Sequence, residues 1–387
     1  MEFSQDITFE IFSWLPAKSI CKLKSTCNSS SEFLEETLFK TKQAHNMFGR
    51  DDTCFFILRP DQIGQSNTEI VELHSLPQNR QSSGAPKEAL SFLSNSVCVL
   101  ASSNGLVVGH TINDHQDSIE FVICNPVTKS WSSIPTPESF QGNHSFAGIN
   151  LMLDCSLDGY KVFLLENSGV WSPTSYTCSV YHSKEGVWTT MKNSFSPGGR
   201  NMEFDMPVFH KGCLHFISDC ASYFAKPSPF YKPYIMSYNL ENGISTMLKL
   251  PREAIKGCHS MCNMGIFNWG KKTSSNSSIC LVKLRNSVFT VWFLKDYESG
   301  SWKRVLKVRV RALGLNETNP NVRGFMVMNG NLLVFATDEK LYSYGLEGES
   351  YMMVEEICRH NYAFKPRFIS YSDTLRSCGT NARAMPC

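Results

Sequence analysis

Three groups of residues have types that could do chemistry. Cys258-His259 with Cys262 would offer thiolate and imidazole to zinc, but the spacing fits no standard zinc pattern and no second ligand pair stands at a sensible distance. A loop coincidence is the favoured reading. His110 with Asp114 and His115 places two imidazoles and a carboxylate on one loop, the composition of a solvated hairpin tip more than of a catalytic or metal site. The sequence has no C-x-x-C pair, no H-E-x-x-H, no G-x-S-x-G, no Walker-type loop and no G-x-G-x-x-G. The expectation is a chain that binds and does not catalyse, with no metal and no cofactor.

The third group is of binding type. The run from Tyr223 to Tyr234 packs five aromatics (Tyr223, Phe224, Phe230, Tyr231 and Tyr234) and three prolines into twelve residues, more than a plain hairpin loop needs. Rigid aromatic anchors of this kind suit recognition of a protein substrate. Folding of the loop over the edge of its own domain is an equally open reading. Lys303, Arg304, Lys307, Arg309 and Arg311 alternate with Val305, Val308 and Val310, as a solvated strand face does, with an acidic substrate segment as the alternative use.

Something must position these residues, and the 387-residue length suggests about two to three domains, or one small module and one large one. Apolar residues make up 42% and charged residues 19%, a balance that argues against an intrinsically disordered chain. Lys plus Arg number 37 against 35 for Asp plus Glu, so no global field draws the protein to nucleic acid or an anionic membrane. Neither is expected as a partner. There is no apolar run of about 18 residues, and the opening Met1-Glu2-Phe3-Ser4-Gln5-Asp6 lacks the positive charge of a secretory signal. The expected location is cytoplasmic and/or nuclear. The fifteen cysteines, odd in number and irregularly spaced, are then expected as reduced, mostly buried thiols.

The first 46 residues contain one proline and no glycine, whereas turn dipeptides dominate beyond Gly49. A boundary at about 47–52 follows. Ser4 can cap a helix from about Gln5 to Trp14, with Ile7 and Ile11 leading to Leu15 and with Phe9 and Phe12 on a second flank. Pro16 ends it. A second helix from about Ala17 to Cys27 aligns Ile20, Leu23 and Cys27, and a third from about Ser31 to Lys42 carries Phe33, Leu34, Leu38 and Phe39. A lone helical module below about 60 residues buries too little surface to be comfortably stable. It needs either a partner protein or the larger domain to dock on.

From residue 53 a unit recurs. Hairpins such as Phe121 to Trp131, Ser179 to Trp188, Ile235 to Ser245, Val291 to Trp302 and Leu341 to Tyr351 have anchors at 131, 188, 245, 302 and 351, spaced 57, 57, 57 and 49 residues apart. Asn104-Gly105, Lys211-Gly212 and Asn329-Gly330 sit between apolar runs and signal tight hairpin turns, which need positive φ. Each period supplies about four strands, the size of a propeller blade, whose faces are buried only against neighbouring blades. A weak first copy lies in Thr53 to Leu58 with Ile70 to Leu76, and Arg367 to Tyr371 can close the ring on it. About six blades result, with five or seven open. Trp131, Trp188 and Trp302 are expected to pack between blades. The division is a helical module at 1–46, a linker at 47–52, a propeller at 53–373 and a disordered tail at 374–387.

The head resembles the F-box. Its carrying residues are Asp6-Ile7, Glu10-Ile11-Phe12, Trp14-Leu15-Pro16-Ala17-Lys18-Ser19-Ile20, Lys22-Leu23-Lys24 and Cys27, set against a plant pattern of roughly LPxD, EILSRLPVKSL and RFKxVCKSW. The body is similar to the kelch-like F-box-associated region of plant F-box proteins, notably in Cys124 to Trp131. The resemblance implies a mainly β protein: a three-helix F-box followed by a β-propeller of about six four-stranded kelch-like blades. It implies a non-catalytic substrate receptor of an SCF-type ubiquitin ligase, binding a Skp-family adaptor and through it a cullin, with a protein substrate on the propeller. The implied adaptor-facing residues are Ile7, Ile11, Leu15, Pro16, Lys18, Ser19, Ile20 and Leu23. Three departures stand out: Phe3-Ser4 replaces Leu-Pro, Asn28 replaces a lysine, and Ser30 stands where the family has tryptophan.

Overall fold

The computed structural model describes residues 5–26, 34, 36–58, 72–76, 97–113, 118–137, 150–167, 175–222, 224–259, 262–270, 277–347, 354–359, 366–379 and 382–384. Three helices come first: α1 (Gln5–Ser13), α2 (Ala17–Thr26) and α3 (Thr37–Asn46). α1 stops before Pro16, whose ring restricts the preceding residue, and the Pro16 carbonyl accepts the first amides of α2 from Ser19 and Ile20. The third helix lies further along than the apolar pattern predicts. Phe39 and Gln43 share its buried face four residues apart, and a buried glutamine carries no hydrophobic signal. Phe33 lies outside the described residues. Leu34 is buried and Leu38 is exposed.

The strands form six sheets in chain order around a ring. The first sheet contains β1 (Cys54–Leu58) and β2 (Glu72–Ser75). The second contains β3 (Cys98–Ser103), β4 (Leu106–Asn113), β5 (Ser118–Asn125) and β6 (Ser130–Ile134). The third contains β7 (Asn150–Cys155), β8 (Tyr160–Asn167), β9 (Tyr176–His182) and β10 (Val187–Thr190). The fourth contains β11 (Met202–His210), β12 (Cys213–Ser218), β13 (Tyr234–Asn239) and β14 (Ser245–Lys249). The fifth contains β15 (Asn263–Trp269), β16 (Ser278–Arg285), β17 (Val288–Asp296) and β18 (Ser301–Arg309). The sixth contains β19 (Gly324–Met328), β20 (Leu332–Ala336), β21 (Lys340–Gly345) and β22 (Val354–Arg359). Then β23 (Arg367–Tyr371) pairs antiparallel with β1, from Cys54 opposite Tyr371 to Leu58 opposite Arg367, and joins the two ends of the chain in one blade. The protein is a six-bladed β-propeller.

Apolar burial explains the ring. Six clusters lie between sheets, each drawing on two neighbours. Between the fifth and sixth, for example, Phe267, Val282 and Phe289 pack against Phe325, Leu333 and Phe335. Between the sixth and first, Met328, Val334 and Leu341 pack against Phe55, Ile57 and Phe368. A strand covered on both faces reads as a continuous apolar run, as in β20, whereas β14 and β18 at the rim are half-buried or exposed throughout. Two rim tryptophans reach back 53 residues to the preceding blade: Trp188 Nε1 donates to the Pro135 carbonyl and Trp302 Nε1 to the Lys249 carbonyl, the latter at 3.0 Å. Trp131 packs on the cluster between the first two blades. Tyr351 of the weakest copy lies outside the described residues.

Each blade is an antiparallel meander, so its first and third turns lie at one end of the propeller and its second turn and onward connection at the other. We call these the near and far ends. The near-end turns follow the sequence signals: φ is +43° and +83° at Asn104-Gly105, +48° and +71° at Lys211-Gly212, and +52° and +72° at Asn329-Gly330. At Gly105 a side chain would also strike Thr374, with only 2.0 Å from a Cβ to Thr374 Oγ1.

That contact corrects the expected disordered tail. Thr374, Leu375, Arg376 and Cys378 are buried, and β24 (Arg383–Ala384) pairs with β6. The segment lacks any apolar period, so its order comes from partners more than 200 residues away. Asn125 Nδ2 donates to the carbonyls of Thr374 (3.0 Å) and Arg376 (2.8 Å), and Thr374 Oγ1 donates to the Asn104 carbonyl at 3.0 Å. The Arg376 guanidinium donates to the Ser156 and Gly159 carbonyls at 2.6 and 2.7 Å, and Tyr160 Oη donates to the Cys378 carbonyl at 3.2 Å. The same segment holds the helices. Leu375 enters a cluster with Ala17, Ile20, Leu34 and Phe39, while buried Gln43 accepts from the Leu375 amide at 2.9 Å and donates to the Leu15 carbonyl at 3.0 Å.

Candidate binding surfaces

The helical head turns one face to the C-terminal segment and the other to solvent. Phe9 and Phe12 point inward, with the Phe9 and Phe39 rings edge to face at 5.3 Å. Ile7, Ile11 and Trp14, spaced by four and three residues along α1, are exposed by 48%, 51% and 46%, and Leu38 on α3 by 69%. They are four of the eight exposed large apolar side chains among the described residues, in a segment of only 46 residues. Such a concentration on a small module marks an interaction surface. Glu10 and Arg50 flank it: Trp14 Nε1 donates to Glu10 Oε1 at 3.1 Å, and the Arg50 guanidinium lies 5.0 Å from the indole.

Of the residues the F-box resemblance points to, Ile7 and Ile11 stand on this surface. Ile20 does not: it is fully buried in the head's own core, since α2 turns that side to α3 and Leu375. Leu15, Pro16, Lys18, Ser19 and Leu23 are half-buried. Trp14 and Leu38 stand on this surface without being among the residues the resemblance points to. The spacing of Ile7, Ile11 and Trp14 at i, i+4 and i+7 was the available signal for Trp14.

The aromatic loop lies at the far end, between β12 and β13. Its organiser is Arg200, a buried guanidinium invisible to aromatic counting. Arg200 donates through Nε to the Phe230 carbonyl (2.7 Å), through one terminal nitrogen to the Ala221 carbonyl (2.8 Å) and Asp219 Oδ1 (2.9 Å), and through the other to the Tyr231 carbonyl (2.7 Å). Tyr234 is buried in β13 and its hydroxyl donates to the Pro197 carbonyl at 2.6 Å. Phe230 sits between Phe224 and Tyr234, with ring centres 6.2 and 5.8 Å away. Phe224, Phe230 and Tyr231 are half-buried, and Tyr223 lies outside the described residues. The loop therefore folds over the blade edge, with its aromatics packed on Arg200 and the Gly198-Gly199 backbone.

Beside it, Cys220 and Cys258 share a hydrogen bond that, with Lys283 nearby, holds the Cys258 thiol below the usual thiol range and pushes Cys220 above it. Lys283 Nζ donates to the carbonyls of Ala254 (2.5 Å) and Lys256 (3.1 Å) and lies 3.4 Å from Cys258 Sγ. Among the described residues no group of three or more His, Cys, Asp and Glu is arranged to hold a metal ion. His110 is buried on β4, and Asp114 and His115 lie outside the described residues. Burial pushes the thiols of Cys178 and Cys358 up to about 12 and that of Cys378 to about 11, so these three act as small apolar groups. A cavity of about 530 Å³ runs along the propeller axis between the innermost strands, with Phe48, Gly49, Arg50 and Asp52 among its lining residues.

The molecule is thus a six-bladed propeller closed by one shared blade, carrying a helical module with an outward apolar stripe. Residues 60–356 match the family described as F-box protein At3g26010-like, beta-propeller, and the chain belongs to that family. The F-box protein At5g49610 of Arabidopsis thaliana is 20% identical over 320 residues, covering 80% of each chain. Among solved structures, the β-propeller domain of the Trilobed protease from Pyrococcus furiosus is 10% identical with a TM-score of 0.40, covering 84% of this chain and 92% of its own. The acylaminoacyl peptidase of Pyrococcus horikoshii is likewise 10% identical at a TM-score of 0.40, covering 80% of this chain and 44% of its own.

Proposed function

We propose that this protein is the substrate-recognition subunit of an SCF-type ubiquitin ligase. The head engages a Skp-family adaptor and through it a cullin, in the cytoplasm or nucleus, and the propeller holds a protein substrate. The chain contributes no catalytic group; it raises the rate by holding substrate lysine and ubiquitin-loaded enzyme in one assembly. The observation that supports this reading most directly is the exposed Ile7, Ile11 and Trp14 stripe on a head whose opposite face is already fixed to the propeller through Leu375 and Gln43. Buried aliphatic anchors of this kind are worth about 2 kcal/mol or more each on truncation.

The test is capture of purified Skp-family adaptor by the full chain and by an Ile7→Asp/Ile11→Asp variant. Wild-type capture, lost by at least about a hundredfold in a variant of unchanged melting temperature, is the expected result. Equal capture by both, or none by either, would reject the adaptor role and leave a stand-alone propeller binding module.

A further inference from the structure

At the far end, between the fourth and fifth blades, a pocket of about 450 Å³ lies against the short helix α4 (Arg252–Ile255) and the strands β16, β17 and β18. Five cations line it: Lys256, Lys283, Arg285, Arg304 and Lys307. Their gathering follows from register. Lys283 pairs with Thr290 and Thr290 with Lys307, so the three form one row across the sheet, and Arg285, two residues from Lys283, projects on the same face. A bulge between Val291 and Trp292 brings Arg304 onto that face too.

Two of the five are matched. Arg304 is bound to Glu253 at 2.7 Å, and Lys283 faces Cys258 and two carbonyls. Lys256, Arg285 and Lys307 have no carboxylate partner among the described residues. Arg285 is the informative one. It is half-buried and its Nε is buried with no hydrogen-bond partner, a costly arrangement for a charged group. Its guanidinium lies so close to Gly257 that a Cβ there would come within 2.3 Å of a terminal nitrogen. A protein of net charge +2 thus concentrates several unmatched cations in one small concavity.

We propose that this pocket binds a phosphoryl group carried on a phosphorylated peptide segment. A fixed guanidinium flanked by two ammonium groups matches the tetrahedral oxygens of a phosphomonoester, to which Arg can donate two parallel hydrogen bonds. The dimensions favour a phosphorylated side chain over a nucleic acid: the cations line one concavity of about 450 Å³, Arg309 opposite Val288 extends the row that begins at Arg285 by one residue, and a net charge of +2 supplies no wider basic field. The pocket opens at the end of the propeller opposite the helical head, which leaves a bound peptide clear of the adaptor. Its role as a substrate site rests on the ligase reading; its chemistry does not.

The experiment titrates the full chain with inorganic phosphate, phosphoserine and a fluorescent peptide library bearing one fixed phosphoserine, beside the same library with serine or glutamate there. The phosphorylated library is expected to bind saturably, more tightly than either control, and more weakly as salt rises. Arg285→Gln and Lys307→Gln are each expected to weaken it by about tenfold or more. Lys303→Gln, on the opposite face of β18, is expected to leave it unchanged. No saturable binding of any phosphorylated probe, or undiminished binding by a folded Arg285→Gln/Lys307→Gln variant, would overturn the proposal. Preferential binding of RNA or anionic vesicles through the same residues would overturn the peptide assignment. Adaptor capture is measured on the same variants: its failure in the wild type with phosphopeptide binding intact rejects the ligase reading alone.

Discussion

At the near end of the propeller, Thr374 and Arg376 donate to backbone carbonyls of the blades' own turns, Asn125 donates to the carbonyls of Thr374 and Arg376, and Leu375 fills the helical head. At the far end, Arg200 does the same for one loop, yet a few residues on, Arg285 has a buried nitrogen with no partner. One end is closed by its own chain; the other keeps unmatched charge facing solvent. Equivalent blades thus differ at their two ends because residues from both the N-terminal and the C-terminal part of the chain gather at the near end.

If the near end is a structural joint, ending the chain after Tyr371 is expected to have the largest effect. It removes six buried residues, Ser372 to Arg376 and Cys378, and opens the head's core, at a cost of about 5 kcal/mol or more, read as a fall in urea midpoint and rapid proteolysis at residues 47–52. A truncated protein as stable as the full chain would dissolve the distinction between the ends. Arg200→Ala, which leaves the carbonyls of Ala221, Phe230 and Tyr231 without their donor, is expected to cost about 3 kcal/mol and expose the 219–233 loop to protease. Wild-type resistance in that variant would mean the loop packs on its aromatics alone.

His215, in the core between the fourth and fifth blades, tests the interior against both ends. Its ring lies 3.1 Å from the Val208 carbonyl and 2.8 Å from Tyr297 Oη, and desolvation lowers it from 6.5 to about 4. The unfolded chain then binds a proton that the folded protein refuses, so this stability is complete above pH 6.5 and is lost as pH falls toward 4, by about 3 kcal/mol. Urea titrations of wild type and His215→Gln from pH 7 to 4 check it; parallel curves would refute it. The smallest effect is at the rim, where Trp302→Phe removes one hydrogen bond to Lys249 and is expected to cost about 1 kcal/mol, or about 2 °C in melting temperature.

Much of the ring was legible in the sequence. The 57-residue anchor spacing located the outer hairpins, and the Asn-Gly and Lys-Gly pairs located near-end turns with positive φ. Both are local signals, set by backbone sterics and by one blade's need to bury two faces. The candidate sites were less legible. The stripe of Ile7, Ile11 and Trp14 follows from helical period, but the burial of Ile20 depends on Leu375, more than 350 residues away. The aromatic run left an exposed recognition loop and a loop folded over the blade edge equally open, because composition does not show that Arg200 binds its carbonyls.

By itself the sequence determined a helical head, a ring of four-stranded blades and closure by Arg367 to Tyr371, because period and turn chemistry act over a few residues. Only the tertiary structure decided that residues 374–379 are a clamp, that Arg200 pins the far loop, and that Lys256, Arg285 and Lys307 share a pocket. Each of those depends on polar groups meeting across large sequence separations, where hydrogen-bond geometry and not apolar pattern selects the partner.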